Sequence, residues 1–342
     1  MVLRTTLSAL MLTGCLAVGT SAIAQDVEVE TVLSGLDNPS GIAVQPGTGD
    51  VFVSDSAGLR VVKFSPSSPG QSVDVITGFP ESTYGTGPVH KIGPLGLLFL
   101  GPNSLVVGGG GLADSAELLR FYDLPAGGEV LSADDMSHVL GPLTKSEQTT
   151  TGEGNFYDLA ATSDAIFITS NGDDTKGWVL SVALEDGKPA GDLELFIATK
   201  VATEVDAPVG IEIKPGTDGP LLVGQMGEIT KPGDSLLTFY DPSNGEMLMN
   251  LETGLFDITA LAYSPSDKLY TLDYAWMDTT EGGLFRLDEA DGGVVAVKIV
   301  SLDKPTAMVF GDDGALYITV FGTAEEGSDE KPGKVLKITG DL

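Results

Sequence analysis

Cysteine is all but missing: Cys15 is the single one in 342 residues. No internal disulfide can form, so the chain must be held by its own core. Histidine is nearly as scarce, with only His90 and His138. That rules out a histidine-rich metal centre, and the His-Glu-x-x-His, Gly-x-Ser-x-Gly and paired-cysteine signatures are missing as well. Cations are few, with 18 Lys and Arg against 49 Asp and Glu and a formal net charge of −31. Such a chain repels the phosphates of nucleic acid and of anionic membranes, which excludes both as general partners. The excess reads first as solvation in salty media and second as carboxylates clustered for a divalent cation. No segment keeps a helical period over a useful length, so the expected class is all-β.

What is present begins with a leader. Arg4, an apolar stretch over 7–18 and Ala22-Ile23-Ala24 form a signal peptide with mature chain from Gln25. The stretch is too short to anchor in a membrane, and no membrane insertion is expected. Leu12-Thr13-Gly14-Cys15 also matches a lipoprotein processing site, but apolar sequence continues to Ala24 where a polar tether would be needed. Simple cleavage is therefore favoured. The mature chain is expected in the periplasm or outside the cell, as a monomer and one domain over 25–342.

That domain is built of repeats. Six segments share the pattern Pro-x-small-apolar or a variant of it, starting at Pro39, Pro94, Phe156, Pro208, Ile258 and Pro305, at spacings of 55, 62, 52, 50 and 47. Each is followed by further short β-rich runs separated by Gly, Asp, Pro and Ser, as hairpin turns require. Four short antiparallel strands repeated six times predict a six-bladed β-propeller. Gly41, Gly96, Gly210, Ala260 and Ala307 fall at one repeat position, expected to be crowded. The sixth unit lacks a fourth strand, and the run 27–33 has the composition of one. It should pair with 335–338 and close the ring.

Long connections gather on the face where the inner strands begin, the usual place for binding. Asn38, His90, Asn155, Asp158, Asp206, Asp257 and Lys304 lie before or at those strand starts and should ring the channel mouth. Oxygens converging there suit a hard cation, so Asn155, Asp206 and Asp257 are the candidate metal ligands, for Ca²⁺ or another divalent ion. Asn38, His90, Asp158 and Lys304 are the candidate ligand-binding residues. The competing role for each carboxylate is to cap a turn or strand end. His138, in an outer strand, reads as structural. Trp178, Trp276, Tyr84, Tyr157 and Tyr274 could stack on sugars or aromatic compounds, with blade packing the alternative.

The phrases Gly35-Leu36-Asp37-Asn38-Pro39-Ser40-Gly41-Ile42-Ala43, Asn155-Phe156-Tyr157-Asp158-Leu159-Ala160 and Lys304-Pro305-Thr306-Ala307-Met308-Val309-Phe310 carry a resemblance. The chain resembles the NHL-repeat and regucalcin/gluconolactonase group of six-bladed propellers, and within it the secreted bacterial ScyD/ScyE-like proteins. The lactonases of that group imply a divalent metal held by Glu, Asn and Asp from inner-strand starts. Only Asn155 matches; Asn38-Pro39 stands at the acidic position, and Val209 where the Asp would be. No quinone cofactor is expected, because the mouth is acidic and arginines are rare. No nucleotide cofactor is expected either, since Gly108-Gly109-Gly110-Gly111 is followed by too short a helix-like stretch. The leading expectation is a non-enzymatic binding or scaffolding propeller with Ca²⁺ at the mouth. The alternative is a divalent-metal-dependent hydrolase of a lactone or small ester.

Overall fold

Each inner-strand phrase is largely apolar, as a strand covered on both sides must be, and each is followed by turn chemistry. In the computed structural model these phrases form the innermost strands of six antiparallel sheets set around a channel. Residues 27–85, 89–173, 175–325 and 328–342 are described. The leader, its cleavage site and Cys15 lie outside the described residues. The first blade runs Pro39–Val44, Val51–Asp55, Arg60–Phe64 and Val73–Thr77. The next four begin at Pro94–Gly101, Phe156–Ala161, Pro208–Ile213 and Ile258–Tyr263, and the sixth at Pro305–Phe310. Each inner strand packs on those of the blades on either side, so the ring is closed. Six apolar clusters fill the structure, each combining residues of two adjacent blades.

The sixth blade is completed by the N-terminal strand. Val27–Leu36 pairs antiparallel with Gly333–Gly340, in a register that sets Val29 opposite Ile338 and Leu33 opposite Val335. Its outward residues are exposed, whereas Val32, Leu33 and Leu36 are 3%, 4% and 2% exposed and enter the cluster between the sixth and first blades. The expected closure is therefore present, and it seals a sheet edge that would otherwise be open. The crowded repeat position is real too. A Cβ on Gly41 would lie 2.0 Å from the Leu95 carbonyl oxygen, and one on Gly96 would lie 2.7 Å from that of Tyr157.

Two local features were not foreseen. The connection 78–93 is no simple loop but carries a small hairpin, Ser82–Tyr84 with His90–Ile92, in which Tyr84 faces His90. Leu131–Ser132 adds to the outer edge of the first blade in parallel.

Candidate functional site

Every inner strand carries a β-bulge at its start. The register skips between Pro39 and Gly41, Pro94 and Leu97, Phe156 and Leu159, Pro208 and Gly210, Ile258 and Ala260, and Pro305 and Ala307. A bulge frees one residue from the ladder and re-aims its side chain. The freed second residues are Ser40, Leu95, Tyr157, Val209, Thr259 and Thr306, and all six line one cavity at the channel mouth. Carbonyls released by the bulges are taken up by hydroxyls of the blade before, as in Ser54 to Leu95 (2.6 Å), Thr169 to Val209 (2.8 Å) and Thr306 to Pro39 (2.7 Å). The ring nearest the axis is thus uncharged.

Above this ring stands an aromatic cup. The hairpin supplies Tyr84 and His90, the loop after Asp273 supplies Tyr274 and Trp276, and Phe321 comes from the sixth blade. His90 meets Trp276 at 5.4 Å and 90°, Tyr84 meets Trp276 at 6.3 Å and 76°, and Tyr274 meets Phe321 at 6.0 Å and 85°. Perpendicular neighbours make the walls of a box, with Tyr274 and Trp276 stacked at 4.9 Å as one thicker wall. Tyr157 helps to form the floor, its hydroxyl reaching from the third blade to the Thr306 carbonyl oxygen of the sixth, 3.4 Å away. The cavity measures about 50 Å³, several times the roughly 10–15 Å³ that one water needs.

Two polar atoms of these residues, His90 Nε2 and the Tyr274 hydroxyl oxygen, are buried with no hydrogen-bond partner among the described residues. Buried polar atoms are almost always satisfied, and although others such as Trp178 Nε1 and Tyr240 Oη lie elsewhere, two belong to residues of this one cavity. Burial first, and the nearby Lys304 ammonium second, hold the His90 pKa below the ordinary histidine value. At neutral pH the ring is therefore uncharged, with one nitrogen able to accept a proton.

The loop that carries Trp276 is held from beneath. Ala275 adopts a left-handed φ of 51°, a conformation that costs about 1–3 kcal/mol without a glycine. Asp273 Oδ1 accepts the Ala275 amide at 3.0 Å, and Asp257 Oδ2 accepts the Trp276 amide. Asp257 is 2% exposed and its Oδ1 has no partner. Burial, with Asp273 and Asp234 adding repulsion, pushes its pKa up to about 7.

The residues expected at the mouth divide accordingly. His90 and Asn155 line the cavity. Asn38 turns away, its amide donating to the Lys91 carbonyl oxygen, and Lys304 Nζ is bound by the Gly322 carbonyl and the Thr323 hydroxyl. Asn38, Asn155 and Lys304 all sit at φ between 49° and 58°, so their repeat position is a left-handed turn that feeds the bulge. Asp206 is paired with Lys200 at 2.6 Å. Asp158 occupies the crowded position held by Gly or Ala in the other blades and accepts the amides of Leu159 and Ile211 at 2.9 and 3.1 Å.

A metal centre from Asn155, Asp206 and Asp257 is therefore not assembled. Among the described residues no three His, Cys, Asp or Glu side chains gather closely enough to hold an ion. The physical reason is that the three are divided: Asn155 lines the cavity, Asp206 is held by Lys200 and Asp257 by the Trp276 amide. Near the mouth Lys91 is paired with Glu81 and Lys200 with Asp206, while Arg60, Arg120 and Arg286 are engaged by Asp55, Glu117 and Asp288. Of the five aromatics singled out in the sequence, Trp178 belongs to the core and the other four line the cup. His138 tilts over Phe121 in the outer strand, as expected. Phe321 carried no sequence signal; only its place just after a second strand could have marked it.

No family model matches the chain, and no curated protein sequence matches it. Solved structures do. A luciferin-regenerating enzyme is 12% identical with a TM-score of 0.62, covering 92% of this chain and 96% of that one. The soluble aldose sugar dehydrogenase of Escherichia coli, in its apo-form, is 14% identical with a TM-score of 0.62, over 92% and 100%. A gluconolactonase of Xanthomonas campestris is 15% identical with a TM-score of 0.59, over 93% and 92%. At these identities the shared property is the fold. The gluconolactonase side of the expected resemblance is thereby supported at the level of the propeller group.

Proposed function

We propose that this protein is a hydrolase of a small ester or lactone that works in the aromatic cup with His90 as its general base and without a metal. The observation that carries this reading is the buried Nε2 of an uncharged His90, without a partner among the described residues, in the wall of the cup. Nε2 would take a proton from a water held in the cup as its oxygen bonds to the acyl carbon. The Tyr274 hydroxyl, lacking a partner, would donate to the oxygen on which negative charge develops, and the Asn155 amide lines the same cavity. Collapse of the tetrahedral species breaks the bond to the leaving oxygen, which takes the proton back from His90. The products are one acid and one alcohol, joined in a single hydroxy acid when the substrate is a lactone.

Support also comes from the fold neighbours, whose names describe enzymes acting on small molecules, a gluconolactonase among them. They weigh against a purely scaffolding role. The donor set argues against the divalent metal of the lactonases, so the reading keeps their reaction class and replaces the activating group. The test is a panel of lactones and short esters presented to chelator-treated protein. Turnover should survive chelation and fall by about 10²-fold or more in His90→Gln. Activity that disappears on chelation, or persists in His90→Gln, overturns it.

A further inference from the structure

The cup has a property that ester hydrolysis alone does not explain. Its walls are aromatic on several sides, its floor ring is uncharged, and it carries no ionised partner for a charged ligand. Rings set perpendicular to one another offer faces in several directions, and an aromatic face is electronegative. We propose that the cup recognises an alkylammonium group, so that the substrate is an ester or lactone bearing a quaternary or tertiary amine. This rests on the hydrolase reading for the reaction and on the cup alone for the ligand class.

Size, field and surroundings agree. A cavity of about 50 Å³ takes a branched group of a few heavy atoms, whereas a hexose would have to lie largely outside it. Asp303 and Asp257 lie close enough to Tyr274 for their charges to act at its hydroxyl, so one wall is backed by negative potential. Lys304, whose charge acts on His90, has its ammonium bound by the Gly322 carbonyl and Thr323, with Asp303 at 4.0 Å, while Lys91 and Lys200 are paired with Glu81 and Asp206. His90 is neutral at the working pH and adds no repulsion. A chain of net charge −31 draws cations towards every part of its surface, and those entering the cup exchange water for π-faces. A neutral group of the same shape gains burial but not the ring quadrupole.

The experiment compares choline with 3,3-dimethylbutan-1-ol, its uncharged isostere, by calorimetry and tryptophan fluorescence in about 0.15 M salt, where loose surface attraction is screened. Choline should bind saturably and roughly tenfold or more tighter than the isostere. Trp276→Leu should weaken choline at least as much. Tyr84→Leu, on the hairpin rim, should weaken it less and guards against a fold lost through the first change. Equal affinity for the two probes, or choline binding untouched by both variants, overturns the proposal. If choline binds as described while no choline ester is hydrolysed, the ammonium cup stands and the hydrolase reading falls.

Discussion

The seam that closes the ring and the mouth that opens it are made from the same repeat, yet they treat polar atoms in opposite ways. At the seam, Val27–Leu36 satisfies its backbone in the ladder with Gly333–Gly340 and puts Val32, Leu33 and Leu36 into a cluster with Phe64, Tyr317 and Val335. At the mouth and just beneath it, His90 Nε2, the Tyr274 hydroxyl and Asp257 Oδ1 are buried without partners among the described residues. Orphaned polar atoms each cost about 1–3 kcal/mol. The seam is thus satisfied in its ladder and its core, while these three atoms lack a partner among the described residues.

The largest difference between the two regions should appear on cutting the seam. Removing residues 27–36 loses three buried apolar side chains, about 5 kcal/mol or more by area, together with a strand of hydrogen bonds. Thermal unfolding should lose its cooperativity or fall steeply in temperature. A truncated chain that melts like the full one would show that the sixth blade stands without its fourth strand.

The inner strands and the loops that enter them should instead be stabilised by acid. Burial pushes Asp257 and Asp158 up to about 7 and, with Asp158 adding repulsion, Glu212 up to about 8. Between their ordinary values near 4 and these raised ones, the folded chain holds protons that the unfolded chain has released. Stability is then greatest on the acid side of that window and declines as pH rises through about 7 to 8. The melting temperature should be higher at pH 5.5 than at pH 8.5 by about 3 °C or more. Asp257→Asn should remove part of that slope, and a slope of opposite sign would contradict the burial of these groups.

The smallest effect concerns salt. The net charge of −31 repels itself, and raising monovalent salt from about 0.01 M to 0.5 M should raise the melting temperature by about 2 °C. A flat response would mean that the charges are already balanced locally. The structure shows how much of the acid is internal. Asp55, Glu117, Glu153, Asp173, Asp257 and Asp273 are all buried. Several staple the loops of the upper face, as when Asp55 accepts the Asp37 amide at 2.6 Å and Asp273 that of Asp257 at 2.8 Å. Their capping role, set beside a cation site in the sequence, is the one the geometry favours.

The repeat was legible because one position is Gly or Ala in five of the six blades: a Cβ at Gly41 or Gly210 would collide with the adjoining blade. Ring closure was legible because the last unit lacked a strand. The site was not, since the residues a bulge presents are free to differ, and Ser40, Leu95, Tyr157, Val209, Thr259 and Thr306 share no chemistry. A bulge leaves no composition mark, so the polar residues preceding the strands looked like the ring. Only His90 and Asn155 reached it, the first through a hairpin that reads as a plain loop in the sequence.

The central claim is that an uncharged His90, and no metal, activates water in this cup, and the pH dependence of kcat/KM for chelator-treated protein tests it most directly. A single acid limb is expected with its midpoint below about 6.5, the ordinary histidine value, because burial and Lys304 lower the pKa of the free enzyme's base. In His90→Gln that limb should vanish along with most of the rate. A profile without the limb, or a rate that returns only when a divalent cation is added back, would contradict it.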